Sequence, residues 1–425
     1  MNEELLYFIW KFRLYDPQLL TNLNQPVHVL KPGMQNMYSG PDFTNSQVKI
    51  DETTWAGNVE IHVKTSDWRK HQHDKDPAYD NIILHVVYEH DVELEELTFR
   101  KIPTIELKGK VEAGIIKRFE KFQNRNLFIP CEASINKVPE IVFESFLDRL
   151  LIERIELKSE ITKRDLKETN GDWEEVLYRS LMRGFGFKAN AEPMNQLARL
   201  IPVKHLWKHK HNPQEFYALL FGASGLLDKP IDDYSHKLLQ IFHGLASKYS
   251  IQSLPKEIWK TSGIRPANFP SLRIAQAGAL LLNNDNSLFS RLIDNFSIQH
   301  LLSLFNLKLD PYWVNHFVFG KEVKENKFLT PSKNMVDNLI INAIVPVLVL
   351  NASSKGDVLK KEKAIELLFS LSPDKNGTIT KWNSLGIKSK NAANSQSLLH
   401  LKNAYCSYKK CLLCNVGGYL LKHDR

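Results

Sequence analysis

Between Gly40 and Asp91 the chain reads GPDFTNSQVKIDETTWAGNVEIHVKTSDWRKHQHDKDPAYDNIILHVVYEHD. No other stretch gathers so many groups able to bind a metal or move a proton. Asp42 stands just before one alternating run, and Glu60, His62 and Lys64 occupy every second position of the next. Successive side chains of a strand point to opposite faces, so these three share one face while Val59, Ile61 and Val63 share the other. Two carboxylates on neighbouring strand segments can hold Mg²⁺ or Mn²⁺ through oxygen, with waters completing the shell. Such an ion acidifies a water and neutralises charge on a phosphoryl oxygen. His62 and Lys64, on the glutamate's own face, are placed to orient that water. Asp42, Glu60, His62 and Lys64 are therefore the candidate catalytic residues, with Asp42 and Glu60 as metal ligands. The same residues also read as a site that binds metal or substrate without turnover, or as a polar strand face whose acids pair with lysines.

Two further sets carry ligand chemistry. His71, His73 and His85 add imidazoles that suit Zn²⁺ or Mn²⁺, although His85 lies in an apolar run and also reads as a packed core histidine. Cys406, Cys411 and Cys414 are closely spaced near the C-terminus, and Cys131 lies far upstream. Four thiols are enough for tetrahedral Zn²⁺ or an iron–sulfur cluster; buried or free thiols are the alternative. Basic groups occur at Lys204–His211, at Lys117, Arg118, Lys121 and Arg125, and at Arg265 and Arg273 around the PANFP turn. Phosphate contact and solvated helix faces explain such runs equally well.

The elements that must position these groups follow from periodicity. Residues 2–15 place Leu5, Leu6, Ile9, Trp10 and Phe12 at helical spacing, with Glu3 and Glu4 in the first turn, where the helix dipole favours acids. Strands are expected at Pro26–Leu30, Gln47–Ile50, Asn58–Lys64, Asn81–Tyr88 and Phe99–Leu107, with Asp51–Gly57 as a polar connection and Ser66, Asp67 and Trp68 capping a turn. After residue 110 the pattern turns helical, beginning with Ile115–Phe122 and Val142–Lys167, and continues so to about residue 400. The expected organisation is an α/β domain over residues 1–110, a central mixed sheet flanked by helices, followed by a larger all-α domain over 111–425 carrying the cysteine cluster.

The order and spacing of Pro41-Asp42 and Glu60-Ile61-His62 resemble the PD-(D/E)XK nuclease core, whose elements run helix, strand, strand, strand, helix, strand. That resemblance covers residues 1–107 and implies metal-dependent phosphodiester hydrolysis, with Glu3 or Glu4 matching the helical acid of some members. His62 stands where the family has lysine, and Lys64 could supply the missing charge; alternatively the replacement marks a member that does not cut. Over nearly its whole length the chain also resembles an uncharacterised bacterial family, a domain of unknown function, through GPDF, GNVEIHV, SDW, ILHVV, RPANFPSLRIAQ and CLLC.

Composition bounds the rest. At 425 residues, 43% hydrophobic and 24% charged, the chain is long enough for two or three domains with their own cores. A net charge of +8 favours an anionic partner such as nucleic acid, with DNA expected ahead of RNA. The N-terminus has acids where a secretion signal needs cations, and Leu339–Leu350 is too short to span a bilayer, so a cytoplasmic protein without membrane association is expected. The expected function is a DNA nuclease. Its competitors are an inactive nuclease-fold scaffold, binding nucleic acid or a protein partner, and a histidine/carboxylate hydrolase with another substrate.

Overall fold

The computed structural model describes residues 1–284 and 287–423. The chain divides into two compact units, Met1–Phe146 with Leu401–Arg425, and Leu147–His400. The change from sheet to helix near residue 110 is thus not a packing boundary. Residues 111–146 and the C-terminal segment belong with the sheet, because the C-terminal helix Asn415–His423 docks on the helix Ala113–Asn124. There the Arg118 guanidinium donates to the Leu421 carbonyl at 2.8 Å and Gln123 donates to the Lys409 carbonyl at 3.1 Å.

The first unit begins with helix α1 (Glu3–Phe12), capped by Asn2, whose side chain accepts from the Leu5 N–H at 3.0 Å. Its apolar stripe buries Leu5, Leu6, Phe8, Ile9 and Trp10, each contributing about 1.5–3 kcal/mol of transfer free energy. The main strands are β1 (Pro26–Lys31), β2 (Phe43–Ile50), β3 (Thr53–Lys64), β4 (Ile82–Glu89) and β5 (Thr104–Glu106). They lie in that order across a mixed sheet, with two-residue strands Leu19–Leu20 beside β1 and Met34–Gln35 beside β2. β1, β2 and β3 are antiparallel, whereas β4 runs parallel to β3 and β5 parallel to β4. The short helix α2 (Asp67–Lys70) and two 3₁₀ turns form the crossover from β3 to β4.

Two stretches depart from their expected form. Asp51–Gly57 is no connection: the chain reverses in a tight turn at Asp51, whose φ of 49° is left-handed, and β3 starts at Thr53. Short polar side chains such as Asp tolerate that backbone, so a polar run conceals a hairpin. Within Phe99–Leu107 only Thr104–Glu106 is strand, because Glu95–Phe99 is a helical turn that buries Leu97.

The second unit is helical. Its core packs Trp173–Phe185, Pro213–Ala223, Pro270–Leu282 and the long helix Lys333–Ser354. Ser180 reaches the Ala343 carbonyl at 3.1 Å across one of these contacts. Among the described residues Lys333–Ser354 alone is long and apolar enough to cross a membrane by length and composition, and 83% of its apolar window is buried. It extends well beyond the expected Leu339–Leu350 run, because a π-helical turn carries the chain through Asn342 without a break.

Candidate metal centre

The site is built on β3. Glu60 and His62 point to the same face and are 3% and 1% exposed. Parallel pairing sets Glu60 opposite His85 of β4, itself fully buried, and sets His62 opposite Val87. Asp42 enters from the start of β2. Its backbone N–H donates to Glu60 Oε2 at 3.1 Å, and its Oδ2 accepts from the Ile61 N–H at 2.9 Å. A bulge between Phe43 and Ser46, with Asn45 in a left-handed conformation at φ 57°, lies just beyond this exchange and bends β2 there.

The crossover supplies the remaining groups. Asp67 accepts the Lys64 N–H at 3.0 Å and Ser66 bonds Asp91 at 2.8 Å, which turns the chain back over the sheet. Trp68 is buried with its ring edge against His62, His73 and His85. Gln72 adopts φ 60°, and this left-handed residue turns the chain between His71 and His73 so that both rings lie beside His62. His73 stacks on Tyr79 with ring centroids 3.9 Å apart.

The donor atoms nearly meet. His62 Nε2 lies 3.1 Å from His71 Nδ1 and 3.8 Å from Glu60 Oε1, and that oxygen lies 3.1 Å from His73 Nε2. One ligand atom from each of His62, His71 and His73 falls within 4.8 Å of the others. His73 Nε2 is buried and makes no aligned hydrogen bond, despite its closeness to Glu60. A carboxylate oxygen and an imidazole nitrogen this close are placed as two ligands of one ion are. His62 Nδ1 and His85 Nε2 are 2.9 Å apart. Placing the shared proton on Nδ1 leaves the His62 Nε2 lone pair free to coordinate, the arrangement by which outer groups orient a metal-binding imidazole.

Electrostatics point the same way. Burial pushes His62 down to about 2 and His85 to about 3, with neighbouring histidines adding to the shift, so both rings are neutral. Burial and then the Glu60 carboxylate push Asp42 up to about 7, against hydrogen bonds from Ile61 and Tyr7. Glu3 is raised by burial and feels His71, Asp67, Glu60 and His73. Glu3 and Tyr7, one turn apart on α1, therefore both approach the cluster. Among the described residues none of Glu3, Asp42 and Glu60 has a Lys or Arg partner.

The structure thus brings together Asp42, Glu60, His62, His71, His73 and His85, and it selects Glu3 over Glu4 as the helical acid near them. Lys64 shares the strand face, but its side chain is 48% exposed and its ammonium pairs with Glu89 at 3.8 Å. Tyr7 was not expected. Its position four residues after Glu3 was the only available sign. Other groups are placed elsewhere. Cys131, Cys406, Cys411 and Cys414 gather in the same unit as a separate cluster. In the Lys204–His211 run, His209 is held between Glu215 at 2.5 Å and the Tyr249 hydroxyl at 2.8 Å. Arg118 of the expected basic face binds a backbone carbonyl. Arg265 and Arg273 line a cavity of about 580 Å³ in the helical unit, where Arg273 is engaged by Asn268 and Gln276.

The model of one protein family, described as a protein of unknown function (DUF2851), matches residues 3–377, and the chain belongs to that family. No curated protein and no solved structure matches it.

Proposed function

We propose that the protein is a metal-dependent hydrolase of phosphodiester bonds, with DNA as the first substrate to test. The observation that carries this reading is the convergence of Glu3, Asp42 and Glu60 with three histidines and, among the described residues, no lysine or arginine partner. Buried carboxylates without a positive partner are costly, and a divalent cation answers them. Glu60, His62, His71 and His73 would hold it. Imidazole ligands beside a carboxylate suit Mn²⁺ or Zn²⁺ better than Mg²⁺, which prefers oxygen and retains its waters. When bound, such an ion supplies Lewis acidity and a water ionisable near neutral pH.

The protein's own groups supply the rest. Asp42, with its carboxyl near 7, can take a proton from a water at working pH, and the Tyr7 hydroxyl bonded to it holds it in place. His85 fixes the His62 ring. Trp68 and Tyr79 wall the site and limit water on the sheet side. Phosphodiester substrates are favoured by the net charge of +8 and by the element order. A helix, three antiparallel strands, a short helical crossover and a parallel strand match the sequence expected of a PD-(D/E)XK core, with Asp42 and Glu60 at its acidic positions. His62 in place of that family's lysine is neutral, so it serves this site as a ligand rather than as a fixed charge.

The test is an assay of the full chain on single- and double-stranded DNA and on RNA. It is run with Mn²⁺, Zn²⁺ or Mg²⁺, beside an Asp42→Ala/Glu60→Ala variant. Cleavage that needs the metal and falls on the order of 10³-fold in the variant is expected, since losing the metal site removes several kcal/mol of transition-state stabilisation. Equal cleavage by both proteins, or tight nucleic-acid binding without cleavage by either, overturns the proposal.

A further inference from the structure

All four cysteines of the chain lie in the first unit, although the whole helical unit separates Cys131 from Cys406 in sequence. None is in a disulfide, and Cys131, Cys411 and Cys414 are buried. Each thiol lies within electrostatic reach of the others. Cys131 feels Cys414 and Cys411, Cys406 feels Cys414, Cys131 and Cys411, and Cys411 feels Cys414, so every pair is represented. Four thiols scattered for packing alone have no reason to converge from opposite ends of a chain.

The backbone around them is shaped to face the sulfurs. Lys409 takes a left-handed conformation at φ 53°, and the Lys410 N–H donates to the Tyr405 carbonyl at 3.0 Å, which folds Cys406 back toward Cys411. The helix Asn415–His423 follows Cys414 directly, and its Gly417 N–H points at Cys414 Sγ from 3.5 Å. A side chain at Gly417 is impossible without movement, because a Cβ there would lie 2.3 Å from the Cys411 carbonyl oxygen. The segment carrying Cys131 is itself turned, with the Ser134 N–H donating to the Cys131 carbonyl at 2.9 Å. The Gly417 N–H aimed at Cys414 Sγ favours thiolate, the form that binds metal, against the burial that raises the Cys131, Cys406 and Cys411 thiols in the metal-free protein.

We propose that Cys131, Cys406, Cys411 and Cys414 form a four-thiolate metal centre that ties the C-terminal segment to the loop after the helix Ala113–Asn124. The centre is independent of the histidine/carboxylate site. A single zinc with Zn–S bonds of about 2.3 Å would draw its sulfurs to about 3.8 Å apart. Among the described residues no three cysteine sulfurs lie within 4.8 Å of one another, whereas the three histidine ligand atoms do. Sulfide-bridged iron spaces its thiolates more widely than one ion can, so an iron–sulfur cluster is the second form that four such thiolates can hold. Either form couples metal binding to folding of the C-terminal segment.

The full chain, purified without air, is analysed for iron, zinc and acid-labile sulfide. Stoichiometric iron with sulfide, or one zinc per chain that Asp42→Ala/Glu60→Ala retains and Cys131→Ser loses, supports the centre and identifies it. Cys131→Ser and Cys414→Ser should each lose that metal, while Asp42→Ala/Glu60→Ala should keep it. As the serine variants can fail to fold, thiol reactivity of the native wild type is a second measurement. The four thiols should resist a disulfide reagent until a mercurial releases the metal. Folded wild type free of iron and zinc with four reactive thiols overturns the proposal, and so does full metal retention in Cys131→Ser.

Discussion

The buried acids Asp165 and Glu175 of the helical unit and Asp42 and Glu60 on the sheet of the first unit differ in whether cationic side chains answer their charges. Asp165 is 1% exposed and sits between Arg183 at 2.6 Å and Arg199 at 3.3 Å. Glu175 is similarly held by Arg179 at 2.9 Å and by the Val203 N–H at 2.8 Å. These acids complete themselves, and such networks hold helices together. On the sheet, Glu60 meets only histidines and the backbone, and Asp42 crowds against it. Buried acids with no cationic side chain beside them mark a candidate place for a cation to bind.

Substitutions in the two regions should separate stability from binding. Asp165→Ala leaves Arg199 with Glu168 and Arg183 with Asn195 and should cost roughly 1.5–3 kcal/mol of stability, read by denaturant unfolding, with metal affinity of the folded protein unchanged. His85→Ala should do the reverse. Removing the group that orients His62 should weaken metal binding or activity by about 10–100-fold, with the pH profile of any hydrolysis retained. A large stability loss with unaltered affinity would reduce His85 to core packing.

A smaller effect should appear in metal-free protein as pH changes. The folded-state Asp42 carboxyl is raised to about 7, above its unfolded value of about 3.9. The folded state then binds the extra proton between these values, so stability falls as pH rises from about 4 to 7. Asp42→Asn removes that penalty. It should raise Tm at pH 8 and leave it unchanged at pH 4. Equal effects at both values would mean that Asp42 is not held protonated by its neighbours.

Much of this site was legible from residue order. The alternation through Val59–Lys64 put Glu60 and His62 on one face, and Asp42 stood before the neighbouring strand. What periodicity could not reveal depends on backbone geometry and register. The parallel pairing of Glu60 with His85 is a long-range property, and the joint approach of His71 and His73 depends on one left-handed residue, Gln72. Lys64 looked equivalent to His62 by alternation, yet two residues further along the strand emerges from the core and Glu89 captures the ammonium. The return of Leu401–Arg425 to the first unit had no local sign beyond the spacing of its cysteines.

The central claim is that Glu60 and its histidines bind a divalent ion. The most direct measurement is a Mn²⁺ titration of chelator-treated full-length protein followed by electron paramagnetic resonance, because Mn²⁺ prefers oxygen and nitrogen ligands to thiolates. One bound Mn²⁺ per chain is expected for the wild type and for Cys414→Ser, and none for Asp42→Ala/Glu60→Ala or His62→Ala/His73→Ala. Free Mn²⁺ throughout the wild-type titration, or binding that survives both double substitutions, would contradict it.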